Sequence, residues 1–222
     1  GVAFRGVNEA YTESTGVLNP QIDSVVIVGG DLDVDKFLVA TRGSGARVQH
    51  TGMKVKAISD AWAQKFIKGS SESDAREFDG LQVRLTGNQK ISAGSTNGGD
   101  PLSLIKLEEA IDACDNPTHL IMSKALRRRF TAAARSASVG GYITYTKGQF
   151  GQPVTMFNDL PILTTNNGST EVLPFTEVGA GGATATATSI YVVSFTEGRL
   201  NGIQTSDMEV RDLGETDVKP VL

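Results

Sequence analysis

The chain has 222 residues, of which 39% are hydrophobic and 21% are charged, and its formal net charge is −4. This composition excludes a disordered chain, and no apolar run approaches the ~20 residues that a membrane-spanning helix needs. The acidic balance argues against a dedicated nucleic-acid binder, but it suits a protein that encloses nucleic acid through weak contacts. The single cysteine, Cys114, excludes an internal disulfide and fits a reducing compartment.

The first part of the chain changes from an irregular extension to an amphipathic helix. Residues 1–21 show little hydrophobic periodicity and are predicted to form an exposed extension. Apolar clusters over residues 22–34 predict two strands broken at Gly29-Gly30. Asp35–Thr41 fits a short helix or a strand, because its periodicity does not decide between them. A strong helix follows, in which apolar residues recur at helical spacing at Val55, Ile58, Trp62 and Phe66.

The middle of the chain alternates short elements with glycine-rich loops. A short helical stretch is predicted around Asp74–Leu85, a strand over Asn88–Ser92 and a flexible loop over Gly94–Gly99. Asp100-Pro101 is typical of a helix start, because aspartate caps a helix and proline fits its first turn. The apolar stripe of that helix consists of Leu104, Leu107, Ile111 and Cys114.

From residue 119 onwards most predicted elements are strands. Ser123 is predicted to cap a helix whose apolar side carries Leu126, Phe130, Ala133 and Ala137. The predicted strands are His119–Met122, Tyr142–Thr146, Val154–Phe157, Pro161–Thr165 and Ile190–Phe195. Asn158-Asp159 predicts a tight hairpin turn, residues 166–189 a long mobile loop and Ile203–Leu213 a final strand pair. This mixed order of helices and strands predicts an α+β fold.

Few residues have the chemistry of a catalytic or metal site. Cys114 lies on an apolar stripe and is expected to pack as a small hydrophobe, since a catalytic thiol needs an exposed, electropositive setting. His50 and His119 lie far apart in sequence, and neither has a second ligand at metal spacing. Ser103 and Lys106 match the S-x-x-K pattern of some acyl-transfer enzymes, but the accompanying S-D-N and K-T-G motifs are absent.

Two further patterns also have ordinary explanations. Gly179–Gly182 resembles a phosphate-binding loop but lacks the Gly-Lys-Ser/Thr ending, so we expect a flexible loop. Arg127-Arg128-Arg129 is the densest basic run, and three consecutive helical positions point in different directions, so we expect salt bridges before polyanion contact. We therefore predict no catalytic, cofactor-binding or metal-binding residue and a protein that is not an enzyme.

Six segments follow one another in a recognisable order: Met53–Lys68 (MKVKAISDAWAQKFIK), Glu77–Leu81 (EFDGL), Gln89–Ala93 (QKISA), Asp100–Ala113 (DPLSLIKLEEAIDA), His119–Phe130 (HLIMSKALRRRF) and Gly151–Thr165 (GQPVTMFNDLPILTT). This succession closely resembles the major capsid proteins of tailed bacteriophages of the Hong Kong 97 type. The most specific piece is Phe78-Asp79-Gly80-Leu81 after a long helix. The resemblance spans about residues 1–213.

The resemblance implies a Hong Kong 97-like capsid fold with an extended loop, a peripheral domain and an axial domain. Residues 1–21 would be part of the extended loop, which reaches over a neighbouring subunit. Residues 22–87 would form the peripheral domain, with the long spine helix at Ala46–Lys68. Residues 88–200 would form the axial domain around the five- and six-fold axes, and residues 201–222 would return to the peripheral domain.

The implied function is that of a structural major capsid protein. Its copies would assemble into pentamers and hexamers in the bacterial host cytoplasm, and these would form the icosahedral phage head around double-stranded DNA. The implied partners are a scaffold or maturation protease, the portal, and packaged DNA held by weak, non-specific contacts; no membrane is implied. Some members crosslink subunits through a lysine on the extended loop. Residues 1–35 contain no lysine, so we expect no such bond from this segment.

Two alternatives from other classes stay open at this point. The first is an encapsulin-like protein nanocompartment, which shares the fold but encloses enzymes, and the contents of purified shells would separate it from a capsid. The second is a hydrolase that uses Ser103 and Lys106. A Ser103→Ala protein that behaves like the parent would remove the second alternative.

Overall fold

The computed structural model describes residues 2–133, 143–147, 153–182 and 184–214, apart from residues 12, 14, 17, 19 and 21. This part of the chain is a mixed α+β fold, as the order of sequence patterns predicts. Its α-helices are α1 (Lys36–Arg42), α2 (Gly45–Lys68), α3 (Leu81–Arg84), α4 (Leu104–Asp112) and α5 (Lys124–Ala133). Its strands are β1 (His119–Met122), β2 (Ile143–Lys147), β3 (Pro153–Phe157), β4 (Leu160–Thr164), β5 (Asn166–Asn167), β6 (Thr170–Glu171), β7 (Glu177–Val178), β8 (Ala185–Ala187) and β9 (Tyr191–Val193).

Five strands form the central sheet, in the order β2-β3-β4-β1-β9. Strand β1 lies inside the sheet, where it pairs in parallel with β4 and antiparallel with β9. Leu120 of β1 is opposite Ile162 of β4 and Val192 of β9. Because β1 has neighbours on both edges and is buried on both faces, its last three residues, Leu120–Met122, are all apolar.

The sheet separates two hydrophobic cores. Leu120 and Met122 of β1 face one side, where they pack with α4, α5 and Phe157. Ile121 faces the other side, where it packs with Ile67 at the end of α2 and with α3. Successive side chains of a strand alternate between faces, so one four-residue strand anchors both helical layers.

The hairpin between β3 and β4 confirms a turn predicted from sequence. Asn158 and Asp159 both have positive φ, at 48° and 61°. Two consecutive left-handed residues are typical of a type I′ turn, which matches the twist of the flanking strands, and Asn and Asp tolerate that conformation best after glycine. The turn sets the register that places Phe157 opposite Leu160.

Several strand predictions are wrong in the described residues. Residues 22–34, 90–92 and 203–213 contain no strand, and Gly87–Gln89 forms a 3-10 turn. In each case the apolar residues suit a strand, but no described strand pairs with them through backbone hydrogen bonds. Conversely, the predicted mobile loop at 166–189 contains four short strands, β5 to β8.

The bounds of the helices also differ from the sequence predictions. The helix expected from Asp100 begins at Leu104 after Ser103, because the Asp100 carboxylate instead accepts from the backbone N–H of Thr96, 3.2 Å away. That helix ends at Asp112, so Cys114 lies beyond it and is half-buried. The helix expected around Asp74–Leu85 is confined to α3. The cap prediction for α5 is confirmed, since the Ser123 hydroxyl accepts from the Leu126 N–H at 3.0 Å.

Two glycines join the end of α2 to the start of α3. The Gly80 N–H donates to the Gly69 carbonyl at 2.9 Å. A Cβ on Gly80 would lie 2.6 Å from the Ile67 carbonyl oxygen, and one on Gly69 would lie 2.3 Å from the Phe78 carbonyl oxygen. The two backbone segments therefore approach each other more closely than any side chain allows. This contact explains in physical terms the glycine of the Phe78–Leu81 motif.

Alanine at position 80 is expected to lower the free energy of unfolding by about 1–3 kcal/mol, because its methyl group would overlap backbone carbonyls. Gly52→Ala is the matched control, since Gly52 lies within α2 with open space around it. There alanine should raise stability by about 0.5–1 kcal/mol, because it restricts the unfolded chain and favours helix. Urea denaturation followed by circular dichroism measures both changes. A Gly80→Ala protein as stable as the parent would contradict the close approach.

Candidate assembly interface

The N-terminal segment, residues 2–35, contains no helix or strand among its described residues and exposes most of the apolar side chains described there. The side chains that are more than nine-tenths exposed are Val2, Phe4, Val7, Leu18, Ile22 and Ile27. Single exposed apolar residues are common on protein surfaces, but a run of them in one segment marks a surface that another molecule covers. These six side chains therefore have the composition of an interface and are not covered by the described part of the chain.

The surface area of the whole chain leads to the same conclusion. The chain exposes 16858 Å², whereas a compact monomer of 23.4 kDa exposes about 9,700 Å². The exposed area is thus about 1.7 times that of a compact monomer. The N-terminal segment contributes to this excess, and so does the C-terminal segment, residues 201–214, whose residues are all exposed.

Part of the N-terminal segment lies along α2. Val26 and Val28 line a groove of about 140 Å³ together with Trp62 and Phe78. The Trp62 ring stacks on Phe66, with ring centroids 5.3 Å apart. Ile27, between the two valines, is 99% exposed. Alternate side chains therefore contact the helix, while the outer row of the segment is left for another surface.

Arg84 fixes the position of this segment. Its guanidinium donates two hydrogen bonds to the Asp23 carboxylate, at 2.7 and 2.8 Å, and its Nε donates to the Asp79 carbonyl at 2.7 Å. The hydrogen bonds from Arg84 lower the pKa of Asp23, and those to Asp23 raise the pKa of Arg84. The Asp79 carboxylate accepts from the Ser71 N–H at 2.7 Å, which lowers the pKa of Asp79. One arginine thus connects the N-terminal segment to the loop after α2.

The C-terminal segment also reaches α2. Asp212 pairs with Arg47, with an N–O distance of 2.7 Å. The Gly214 N–H and the Arg47 guanidinium lower the pKa of Asp212. Ile203, Met208, Val210 and Leu213 in this segment are all largely exposed. Polar contacts therefore hold the C-terminal segment to α2 and the N-terminal segment to α3, and both segments leave apolar side chains exposed.

Helix α2 is long and poorly covered. Its 24 residues span about 36 Å, yet Ala46 and Ile67 are its buried residues. Val48 and Met53 are each about two-thirds exposed or more. A helix that is not buried along most of its length needs support from other contacts, which here come from the two segments and from β5.

Polar contacts join α2 to the strand pair β5–β6. The Asp60 carboxylate accepts from Lys56 at 2.6 Å and from the Gly168 N–H at 3.1 Å. The hydrogen bond from Lys56 is the largest cause of a lowered pKa at Asp60, and the Gly168 N–H lowers that pKa further. The Asn167 amide donates to Gln64 on the same side of the helix. The middle of α2 is thereby attached to the sheet body mainly by hydrogen bonds from polar side chains.

The S-x-x-K residues do not form a nucleophile and base pair. Lys106 Nζ pairs with Glu109 Oε2 at 2.5 Å, one turn further along α4. Ser103 precedes the first turn of α4 and its side chain makes no capping hydrogen bond. Within the described structure the Lys106 ammonium donates to Glu109, and no hydrogen bond joins it to the Ser103 hydroxyl. The described contacts therefore give Ser103 no activating partner.

The remaining single candidates lie in separate structural settings. His119 lies in β1, where its Nδ1 is 2.9 Å from the Thr118 hydroxyl and its ring packs edge-on against Phe195. His50 is on α2. Burial raises the pKa of the Cys114 thiol, which makes it a weaker nucleophile at neutral pH. No cluster of three potential metal ligands occurs among the described residues.

The glycine loop packs against another loop. A Cβ on Gly181 would lie 1.8 Å from the Ser95 carbonyl oxygen, and the Thr186 hydroxyl donates to the Gly98 carbonyl at 2.6 Å. The backbone of Gly179–Gly182 is therefore occupied by the Gly94–Gly99 loop, and the expected flexible loop has specific contacts. In the basic run, Arg129 lies over the Phe175 ring at 4.5 Å.

Comparison of the chain with protein-family models, with curated proteins and with solved structures finds no match. None of the helices within the described residues is both long and apolar enough to span a bilayer. What the described surfaces offer is an arrangement of exposed apolar segments around a long helix, and this arrangement is suited to association.

Arg84→Lys is expected to loosen the N-terminal segment, because lysine keeps the charge but cannot form the two-pronged contact with Asp23. Thermolysin should cut residues 22–35 several-fold faster than in the parent, with little change in the thermal unfolding of the sheet body. Arg42→Lys is the matched control, because Arg42 is exposed and has no ion pair within the described residues. Equal cleavage rates for Arg84→Lys and the parent would contradict the anchoring role.

Lowering the pH is expected to break the contact between Arg84 and Asp23. Arg84 lowers the folded-state pKa of Asp23 below 3.8, so the contact contributes fully above about pH 4 and is lost as the pH falls through the folded value. An NMR titration of the Asp23 carboxyl carbon should give a midpoint below 3.8 in the parent, and Arg84→Gln should return it to the ordinary value. An ordinary midpoint in the parent would show that the contact does not persist in solution.

Proposed function

We propose that this chain is a structural shell subunit, the major capsid protein of a tailed bacteriophage of the Hong Kong 97 type, and that it has no enzymatic role. The observation that carries the proposal is the exposed apolar run of the N-terminal segment. A segment with this composition is stable when a neighbouring copy covers it. The choice of a phage capsid among possible assemblies rests on the order of sequence motifs, which resembles that of such capsid proteins.

The proposed architecture assigns a role to each part of the chain. Residues 1–21 belong to the extended loop, and residues 22–87 with α2 as the spine helix form the peripheral domain. Residues 88–200, which include the central sheet, form the axial domain, and residues 201–222 return to the peripheral domain. Asp212 attaches the C-terminal segment to Arg47 of α2, and Asp23 attaches the N-terminal segment to Arg84 of α3, which supports this assignment.

In the proposed mechanism, function resides in interfaces between copies. Contacts between different surfaces of neighbouring copies close by rotation into pentamers and hexamers, and these tile the shell. Each contact is weak, and their number makes the shell stable. The net charge of −4 suits a container that holds packaged DNA through few phosphate contacts. A scaffold or maturation protease and the portal are the further proposed partners.

The purified chain is expected to form rings or closed icosahedral shells as its concentration rises. Sedimentation velocity followed by negative-stain electron microscopy measures this directly. Ile27→Ser should raise the concentration at half-assembly by about tenfold, because a buried isoleucine contributes roughly 1.5–3 kcal/mol. Ile27→Val is the control and should assemble like the parent, with unchanged circular dichroism for both variants. A strictly monomeric parent at all concentrations would overturn the proposal.

The contents of shells purified from the natural source distinguish a phage capsid from a protein nanocompartment. Double-stranded DNA inside supports the capsid, whereas a single enclosed enzyme supports a protein nanocompartment. The hydrolase reading is tested by Ser103→Ala, which should leave assembly and any background hydrolysis unchanged. Loss of a measurable hydrolytic activity in that variant would contradict the structural role.

A further inference from the structure

Helices α4 and α5 lie on the same face of the central sheet. Leu107 and Ile111 of α4 pack in one core with Leu126 and Phe130 of α5. The opposite sides of these helices carry charge of opposite sign. The two charged helix faces belong to the same layer of the molecule, and neither takes part in the association surfaces described above.

The basic face of α5 consists of Arg127 and Arg128, with Lys124 one turn earlier on the same side. Arg128 lies opposite the buried Leu126 and Phe130, whereas Arg127 flanks them. No acidic residue occurs within Lys124–Ala133. Arg127 is half-buried and Arg128 is exposed, and neither has an acidic partner among the described residues. Among the described residues no carboxylate neutralises the positive charge of this face.

The acidic flank of α4 consists of Glu108 and Asp112, which are one turn apart. Ile105 lies on the same flank and is 75% exposed. Lys106 and Glu109, on the other flank, neutralise each other. Within the described chain no lysine or arginine pairs with Glu108 or Asp112. The flank combines uncompensated negative charge with one apolar side chain, a combination typical of an interface.

The two charged faces do not pair with each other inside one copy, although both helices pack into one core. No ion pair joins the flank of α4 to the basic face of α5 in the described residues. The two faces lie on different helices and do not pair with each other within one copy. Two different, complementary surfaces on the same chain are what a head-to-tail contact between copies requires.

We propose that the acidic flank of α4 in one copy docks against the basic face of α5 in a second copy. The inference rests on the proposed shell function, and it names the residues of one contact within a ring. Arg127 and Arg128 pair with Glu108 and Asp112 of the next copy, and Ile105 is covered at the same contact. A second copy is favoured over nucleic acid because the matching charge lies on the chain itself, and because the overall charge is −4.

The test reverses the charge of each surface separately. The first variant carries Glu108→Lys and Asp112→Lys, and the second carries Arg127→Glu and Arg128→Glu. Each reversal brings like charges together at every contact, so each variant alone should need at least about tenfold more protein for half-assembly. A chain that carries all four substitutions should assemble at the concentration of the parent. Lys106→Glu with Glu109→Lys is the matched control, because it swaps a pair already neutralised within α4.

A mixture of the two reversed variants gives a sharper test. Every contact between unlike variants is again complementary, whereas every contact between like variants is repulsive. Rings in the mixture must alternate, so rings with an even number of copies should form and five-membered rings should be absent. Mass photometry of the mixture measures this distribution, and circular dichroism checks that each variant is folded.

The possible outcomes separate the two proposals. If the parent assembles and both reversed variants assemble equally well, the α4–α5 contact is wrong and the shell function stands. If the parent never assembles, both proposals are wrong. If Arg127→Glu with Arg128→Glu loses binding of a double-stranded DNA fragment but assembles normally, α5 is a nucleic-acid contact and the docking proposal is overturned.

Discussion

Hydrophobic side chains that the chain leaves in water are the constraint on which the rest of this structure depends. The N-terminal and C-terminal segments are extended, contribute no strand to the sheet and expose residues such as Ile27 and Leu213. Burial of apolar surface is the main favourable term in folding, so segments of this kind gain little by themselves. The described part of the chain leaves their apolar side chains in water.

The sheet body is different, because the chain itself supplies both of its cores. Strand β1 contributes to the two cores at once, and Phe157 and Leu173 are fully buried on opposite sides of the sheet. The long helix α2 combines features of the extended segments and of the sheet body. Its last turn is locked to α3 by the glycine contact, whereas most of its length is held by exposed polar contacts that contribute little in water. A rigid body with loosely held, apolar extensions is suited to building many weak contacts.

Sequence patterns predicted the elements whose partners are local. The α2 helix, the type I′ turn at Asn158-Asp159 and the Ser123 cap depend on spacing and side-chain chemistry within a few residues, and all three are confirmed. Strands over residues 22–34 and 203–213 were wrong because strand formation needs a neighbour that local sequence does not specify. The charged faces of α4 and α5 follow helical spacing, but their significance depends on the sheet that places both helices in one layer.

Hydrogen–deuterium exchange of the free and assembled protein tests the central claim most directly. Backbone amides of residues 22–35 and 201–214 should exchange rapidly in the free subunit and much more slowly in rings or shells, whereas β1 and β4 should be protected in both. Such a difference would show that neighbouring copies complete the fold of the extended segments. Protection of these segments already in the free subunit, or rapid exchange in assembled particles, would contradict the account.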